Sequence, residues 1–152
     1  MEIYLIRHTT PDIPQGVCYG QTDLDVVSTF QTEYERIVPH VESNRFEGIY
    51  SSPLQRCAKL AQKFSDDIIY DDRLKEMSFG EWEMKKWEEI EQPKLNDWMK
   101  DFVGQPPPEG ESFNMLKERV MDYWSELLEN DKEKVKAIFT HGPYYPTMCE
   151  YR

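Results

Sequence analysis

Ile3-Tyr4-Leu5-Ile6-Arg7-His8 opens the chain with an unbroken apolar run that stops abruptly at a cation and an imidazole. A short continuous run of this kind marks a strand buried on both faces. The same pattern recurs twice. Gly48-Ile49-Tyr50-Ser51 leads into Ser52-Pro53-Leu54-Gln55-Arg56, and Lys136-Ala137-Ile138-Phe139-Thr140 leads into His141-Gly142. Asp67-Ile68-Ile69-Tyr70 reads as a further strand, at a sheet edge. Helical patterns lie between these strands. Phe30, Tyr34, Ile37 and Val41 follow an S-x-x-Q capping box at Ser28, and Pro39 predicts a kink there or an end just before it. Leu54, Cys57, Ala61 and Phe64 share a face after a second capping box at Ser52. Residues 85–92 and 94–102 read as two short helices parted by Pro93, and Ser112 caps a helix that buries Leu116, Val120, Tyr123, Leu127 and Leu128.

Strands alternating with amphipathic helices predict an α/β fold, a three-layer α/β/α sandwich with a mostly parallel central sheet. The length, 152 residues, predicts one domain spanning 1–152. A chain of that size buries about 68–70% of its unfolded surface and needs no metal or disulfide staple. Its three cysteines, Cys18, Cys57 and Cys149, show no CxxC spacing and fit a reducing cytoplasm. No basic and apolar leader precedes the first strand, and no apolar run approaches the roughly 18 residues that span a bilayer, so neither secretion nor a membrane is expected. The net charge of 18 − 29 = −11 argues against nucleic acid as a partner, because that affinity comes from lysine and arginine neutralising phosphates. Any anionic substrate must therefore be held by a local cationic pocket against the global field.

In parallel sheets, ligands bind beyond the carboxyl ends of the strands. Those ends would gather Arg7-His8, Ser51-Ser52 with Arg56, and His141 at one rim. Taken singly, each is ordinarily a structural residue. Arg56, however, falls in the first turn of its helix, where the macrodipole disfavours a cation, which suggests an anion nearby. Two arginines, two histidines and a helix N-terminus at one rim make a phosphate-sized anion pocket. Glu76, Glu81 and Glu83, set among apolar residues, are candidate proton donors and acceptors, with at least one of them a plain solvated acid.

Four ordered motifs now carry a resemblance. Leu5-Ile6-Arg7-His8, Ser51-Ser52-Pro53-Leu54-Gln55-Arg56-Cys57, Leu74-Lys75-Glu76 with Gly80 and Trp82-Glu83, and Thr140-His141-Gly142 are similar to the motifs of the histidine phosphatase (phosphoglycerate mutase-like) superfamily. Tyr19-Gly20-Gln21-Thr22-Asp23 and Gly80-Glu81-Trp82-Glu83 look most like its α-ribazole phosphatase branch, which acts in cobalamin lower-loop assembly. The resemblance implies a phosphatase in which His8 takes up the phosphoryl group. Arg7, Arg56 and His141 would hold its oxygens, and Glu76 would protonate the leaving oxygen and then activate water. Gln21 is a further substrate contact it implies. Thr9 departs from the pattern, standing where the family usually has glycine, and its hydroxyl reads as a further donor to the phosphate. It implies no metal and no other cofactor, since the arginines take the part magnesium plays elsewhere. The partner is a small phosphorylated substrate, and a homodimer is left open.

Residues 81–110 would form a helical insert over the site, where Trp82, Trp87 and Trp98 either pack as core or receive a flat benzimidazole ring. The segment 143–152, with Pro143 and Pro146 and no helical period, departs from the family pattern. It is expected to leave a helix-packing surface exposed. The alternatives to α-ribazole phosphate hydrolysis are a broad-specificity phosphatase, a phosphoglycerate-type mutase, and a weakly active phosphate-ligand binder.

Overall fold

The computed structural model describes residues 2–41, 46–130 and 135–142. The predicted tail, 143–152, lies outside them. Within the described residues, four parallel strands form one sheet: β1 (Glu2–Arg7), β2 (Gly48–Ser51), β3 (Ile69–Tyr70) and β4 (Val135–Thr140), in the order β1-β4-β2-β3. β4 is last in sequence but lies between β1 and β2. Each strand points alternate side chains to opposite faces. Ile3, Leu5, Tyr50 and Ile138 pack on one face against Leu116, Val120, Tyr123 and Leu127 of α4 (Phe113–Asn130). On the other face Ile6, Ile49, Ala137 and Phe139 pack against α2 (Gln55–Ala61) and against Phe30, Tyr34 and Ile37 of α1 (Phe30–Ile37). This is the predicted α/β/α sandwich.

Several expectations need correction. The strand fully buried along most of its length is β4, which has neighbours on both sides; β1 ends the described strand order, and only its Ile6 is buried. One expectation holds: α1 stops at Ile37, just before Pro39, which sits in the short 3-10 turn that follows. Its first turn carries no side-chain cap on the backbone: Thr29 Oγ1 donates instead to Glu33 Oε1 (2.7 Å). α2 likewise begins from Leu54 without a side-chain cap. In place of a first helix, residues 85–91 hold the 3-10 turn Trp87–Glu89. Pro93 lies in the first turn of α3 (Gln92–Lys100), where its missing N–H costs no bond, so it starts a helix instead of parting two. Ser112 does cap α4, its Oγ accepting from Met115 N–H (3.3 Å), but Leu128 is exposed, one position round the helix from buried Leu127.

Parallel pairing sets the site. Arg7 faces Thr140 and Ser51 faces Phe139 in register, so the next residues, His8, His141 and Ser52, leave the sheet together. His8 N–H still donates to Thr140 O (3.1 Å) and Ser52 N–H to Phe139 O (2.9 Å), extending the ladder to the rim.

Candidate functional site

The imidazoles of His8 and His141 meet with ring centroids 5.0 Å apart. Both are buried, as are Arg56, Glu76 and Thr9. Exposed Arg7 stands at the rim, where a Cβ on Gly142 would lie 3.3 Å from its guanidinium carbon. Arg7, His8, Thr9, Thr10, Pro11, Tyr19 and Glu33 line an open cleft of about 350 Å³.

The tautomer of His8 follows from its partner. A carbonyl oxygen only accepts, so Nδ1 carries the proton that bonds Thr9 O (2.7 Å), and Nε2 is left with a free lone pair. Nε2 has no hydrogen-bond partner among the described residues, although it is buried. Burial first, then the positive charges of Arg56 and Arg7, lower the His8 pKa to about 4, against an opposing pull from the Thr9 bond. The cations expected from the sequence to keep His8 neutral do contribute, but desolvation is the larger cause. His8 is thus a neutral imidazole with an unengaged nucleophilic nitrogen.

His141 is held from behind. Its Nε2 lies 3.0 Å from Ser52 Oγ and 3.5 Å from Cys57 Sγ, while Nδ1 is 3.9 Å from Glu76 Oε2. Burial and then the Arg56 charge drive its pKa well below the ordinary histidine value. Burial likewise pushes the Cys57 thiol up, so it stays protonated and inert. Glu76 is the opposite case to the histidines. Burial raises its carboxyl above the ordinary value, against the lowering effect of the Met77 N–H bond (2.9 Å to Oε1) and of Arg56, Arg7 and Arg119. A raised carboxyl beside a neutral imidazole is a proton donor set next to a nucleophile.

Arg56 is anchored through Nη2 to Gly20 O (2.6 Å) and Nη1 to Thr22 O (3.0 Å), and its guanidinium lies 5.5 Å from the centroid of the Tyr19 ring. Its Nε has no partner among the described residues, and neither has Thr9 Oγ1. Gly20 is required for this anchoring, because a Cβ there would stand 2.1 Å from Met77 O and 2.7 Å from Glu83 Oε1. Gln21 does not join the cluster through its amide, whose Nε2 donates to Glu76 O (3.1 Å) and Glu111 Oε2 (3.3 Å).

Of the other two candidate carboxylates, Glu81 is exposed. Glu83 pins the neighbouring loop: it accepts from the backbone N–H groups of Gln21 (2.9 Å), Thr22 (2.6 Å) and Phe79 (3.0 Å) and from the Thr22 hydroxyl. Sequence reasoning missed Glu111 and Arg119, which grip the backbone around Glu76. They lie eight positions apart across a helix start, and no periodic signal links them.

None of residues 81–110 lines the cleft. Residues 84–87 instead bond the strip 16–18, through Cys18 N–H to Lys85 O (2.8 Å) and Met84 N–H to Cys18 O (2.8 Å). Trp82, Trp87 and Trp98 pack edge-to-face with one another or with Phe79 around Cys18, Ile90 and Leu95. The cavity beside Trp82 and Trp98, about 420 Å³, is walled by Pro106, Pro107 and Pro108 and shares no residue with the cleft. The tryptophans are core, and the aromatic face available at the cleft is Tyr19.

His8, Glu76 and His141 each offer a ligand atom, all within 4.8 Å of one another. The arginine charges that depress the histidine pKa values also oppose a divalent cation there. The same charges favour an oxyanion. Among the described residues, no helix is long and apolar enough to cross a membrane.

Comparison with known proteins agrees with this chemistry. A family model described as the histidine phosphatase superfamily (branch 1) matches residues 3–151. A protein of Hydrogenobacter thermophilus named as a phosphoserine phosphatase is 27% identical over 155 residues, spanning 97% of this chain and 76% of its own. One from Salmonella arizonae, named as a phosphoglycerate mutase, is 25% identical over 151 residues, 93% of this chain and 70% of its own. Among solved structures, TTHB049 from Thermus thermophilus superposes with a TM-score of 0.77 at 27% identity, covering 99% of this chain and 84% of that one. The α-ribazole phosphatase from Shigella flexneri reaches 0.84 at 23% identity, over 93% of this chain and 74% of that one, a likeness of fold.

Proposed function

The chain belongs to the histidine phosphatase superfamily, branch 1, and from that membership we propose that it hydrolyses a phosphate monoester through a phosphohistidine formed at His8 Nε2. The observation that carries this reading is the state of His8. Its Nδ1 proton is committed to Thr9 O, so the lone pair of Nε2 is free in a buried, cationic pocket. Nε2 attacks phosphorus and forms the N–P bond as the ester O–P bond breaks. The leaving oxygen takes the Glu76 proton. Arg7, Arg56 and His141 stabilise the charge that spreads over the phosphoryl oxygens, and the Thr9 hydroxyl and Arg56 Nε are unspent donors for the same group. Glu76, now a carboxylate, draws a proton from water. The water oxygen attacks phosphorus, the N–P bond breaks, and inorganic phosphate leaves with Glu76 reprotonated.

We read the substrate as α-ribazole 5′-phosphate. Two features support it over a carboxylate-bearing ester. The Tyr19 ring offers the cleft a flat apolar face for a heteroaromatic base. Glu33 lies in the cleft wall as a carboxylate. Burial works against its ionisation, but hydrogen bonds from Thr10 and Thr29 outweigh it and hold its pKa below the ordinary value. A fixed negative charge there disfavours a second carboxylate. The competing reading, a phosphoserine or phosphoglycerate enzyme, draws on the names of the 27% and 25% identical relatives.

The test is hydrolysis of α-ribazole 5′-phosphate, O-phosphoserine, 3-phosphoglycerate and sugar phosphates, with and without a chelator. It is joined to acid-quench trapping of phosphoprotein in the wild type and in His8→Ala. Preference for α-ribazole 5′-phosphate, insensitive to chelator, with acid-labile phosphate that His8→Ala abolishes, is the expected result. Transfer to an acceptor alcohol in place of water would make the protein a mutase. No phosphoprotein in the wild type would make it a binder.

A further inference from the structure

Glu76 is placed by residues far from it in sequence. The Arg119 guanidinium spends all five of its N–H donors. Nη1 bonds the carbonyl oxygens of Arg73 and Lys75 (2.8 Å each), and Nη2 bonds that of Glu76 (2.9 Å). Nε and Nη2 also reach Glu111 Oε1 (2.7 Å) and Oε2 (2.8 Å), a two-point fork. Glu111 Oε2 in turn accepts from Ser78 N–H (2.9 Å). The turn is therefore gripped on both sides of Glu76, at 73, 75 and 76 by the arginine and at 78 by the carboxylate. Gln21 Nε2 ties the two grips together through Glu76 O and Glu111 Oε2. Both members of the pair are mostly buried, with side chains 19% and 17% exposed, so solvent competes little for these bonds.

We propose that Glu111 and Arg119 are positioning residues for the general acid, clamping the 73–78 turn so that the Glu76 carboxyl meets the leaving oxygen. This rests on the reading of Glu76 as proton donor to a phosphohistidine-forming step. A proton donor works only within hydrogen-bond reach of the oxygen it serves. A turn whose carbonyls lost their common donor would shift, taking that carboxyl with it. Lysine cannot replace the arginine here, because an ammonium has three donors and no planar fork. The positive charge of Arg119 also lowers the Glu76 pKa against burial, which eases release of the carboxyl proton to the leaving oxygen.

The experiment is single-turnover phosphorylation of the full chain, with Arg119→Lys and Glu111→Gln compared with wild type. Two esters are used: glycerol phosphate, whose alkoxide must be protonated to leave, and 2,4-dinitrophenyl phosphate, whose phenolate leaves unaided. Loss of a well-placed acid slows phosphohistidine formation from glycerol phosphate by about 10- to 100-fold. The rate from the dinitrophenyl ester stays within about threefold, and substrate affinity for both esters is unchanged. Equal slowing with both esters, or slowing with neither, overturns the positioning role. Glu111→Gln is nearly isosteric and carries the test if Arg119→Lys does not fold. A wild type that yields no phosphohistidine from either ester refutes the underlying phosphatase mechanism, a result separate from a loss that ignores the leaving group.

Discussion

Lowering the pH should unfold this protein partly through a single imidazole, and the structure says by how much. His8 titrates near 4 when folded, against an ordinary 6.5, with burial as the first cause and the Arg56 and Arg7 charges behind it. Between those two values the unfolded chain binds a proton that the folded chain refuses. Stability therefore rises with pH across that window and is lost as the pH falls through it. At about 1.4 kcal/mol per pH unit, the full effect is about 3 kcal/mol, present above pH 6.5 and gone below 4. For a chain of this size that is a melting-temperature change of roughly 6–12 °C. His141, shifted in the same direction, and the carboxylates add their own terms, so the comparison must be differential. The assay is thermal melting of the wild type and His8→Asn from pH 7.5 to pH 4. The variant should show the shallower acid loss, by about that margin. Parallel pH profiles for the two proteins would refute the claim that His8 is held neutral. The same titration predicts that kcat/KM stays level on the acid side down to about pH 5 before nucleophile protonation cuts it.

Two further outcomes follow from the packing around the site. Gly20→Ala places a methyl 2.1 Å from Met77 O, forcing the loop off Arg56; a destabilisation of about 1–3 kcal/mol with a raised KM is expected by denaturant titration and steady-state kinetics. Ser52→Ala removes the hydroxyl 3.0 Å from His141 Nε2, and about 1–3 kcal/mol of stability should go with it, read as a lowered unfolding midpoint. Because His141 then loses its rear support, kcat should fall as well, by about tenfold in steady-state assays.

Much of this molecule was legible from its chain. Apolar runs ending in Arg7-His8, Ser51-Ser52 and Thr140-His141 specify parallel strands with chemistry at their carboxyl ends, because strand burial needs uninterrupted apolar residues and the rim does not. Less visible were features that depend on what lies across space. The helical period over 85–92 gave way to a 3-10 turn because that segment bonds the 16–18 strip through its backbone. The three tryptophans matched a ligand platform as well as they matched core, and only their edge-to-face packing on each other and on Phe79 decides for core.

The sequence alone determined the sandwich, the rim, and the residue types gathered there, since these follow from periodicity and from which residues end each strand. Tertiary structure decided which atoms are free to act. Nothing in the order of residues says that Thr9 O accepts a hydrogen bond from His8 Nδ1, that Gly20 and Thr22 carbonyls hold Arg56, or that Glu111 and Arg119 steady Glu76. Those are hydrogen bonds to backbone groups brought close by folding, and a backbone carbonyl is the same atom whatever residue carries it.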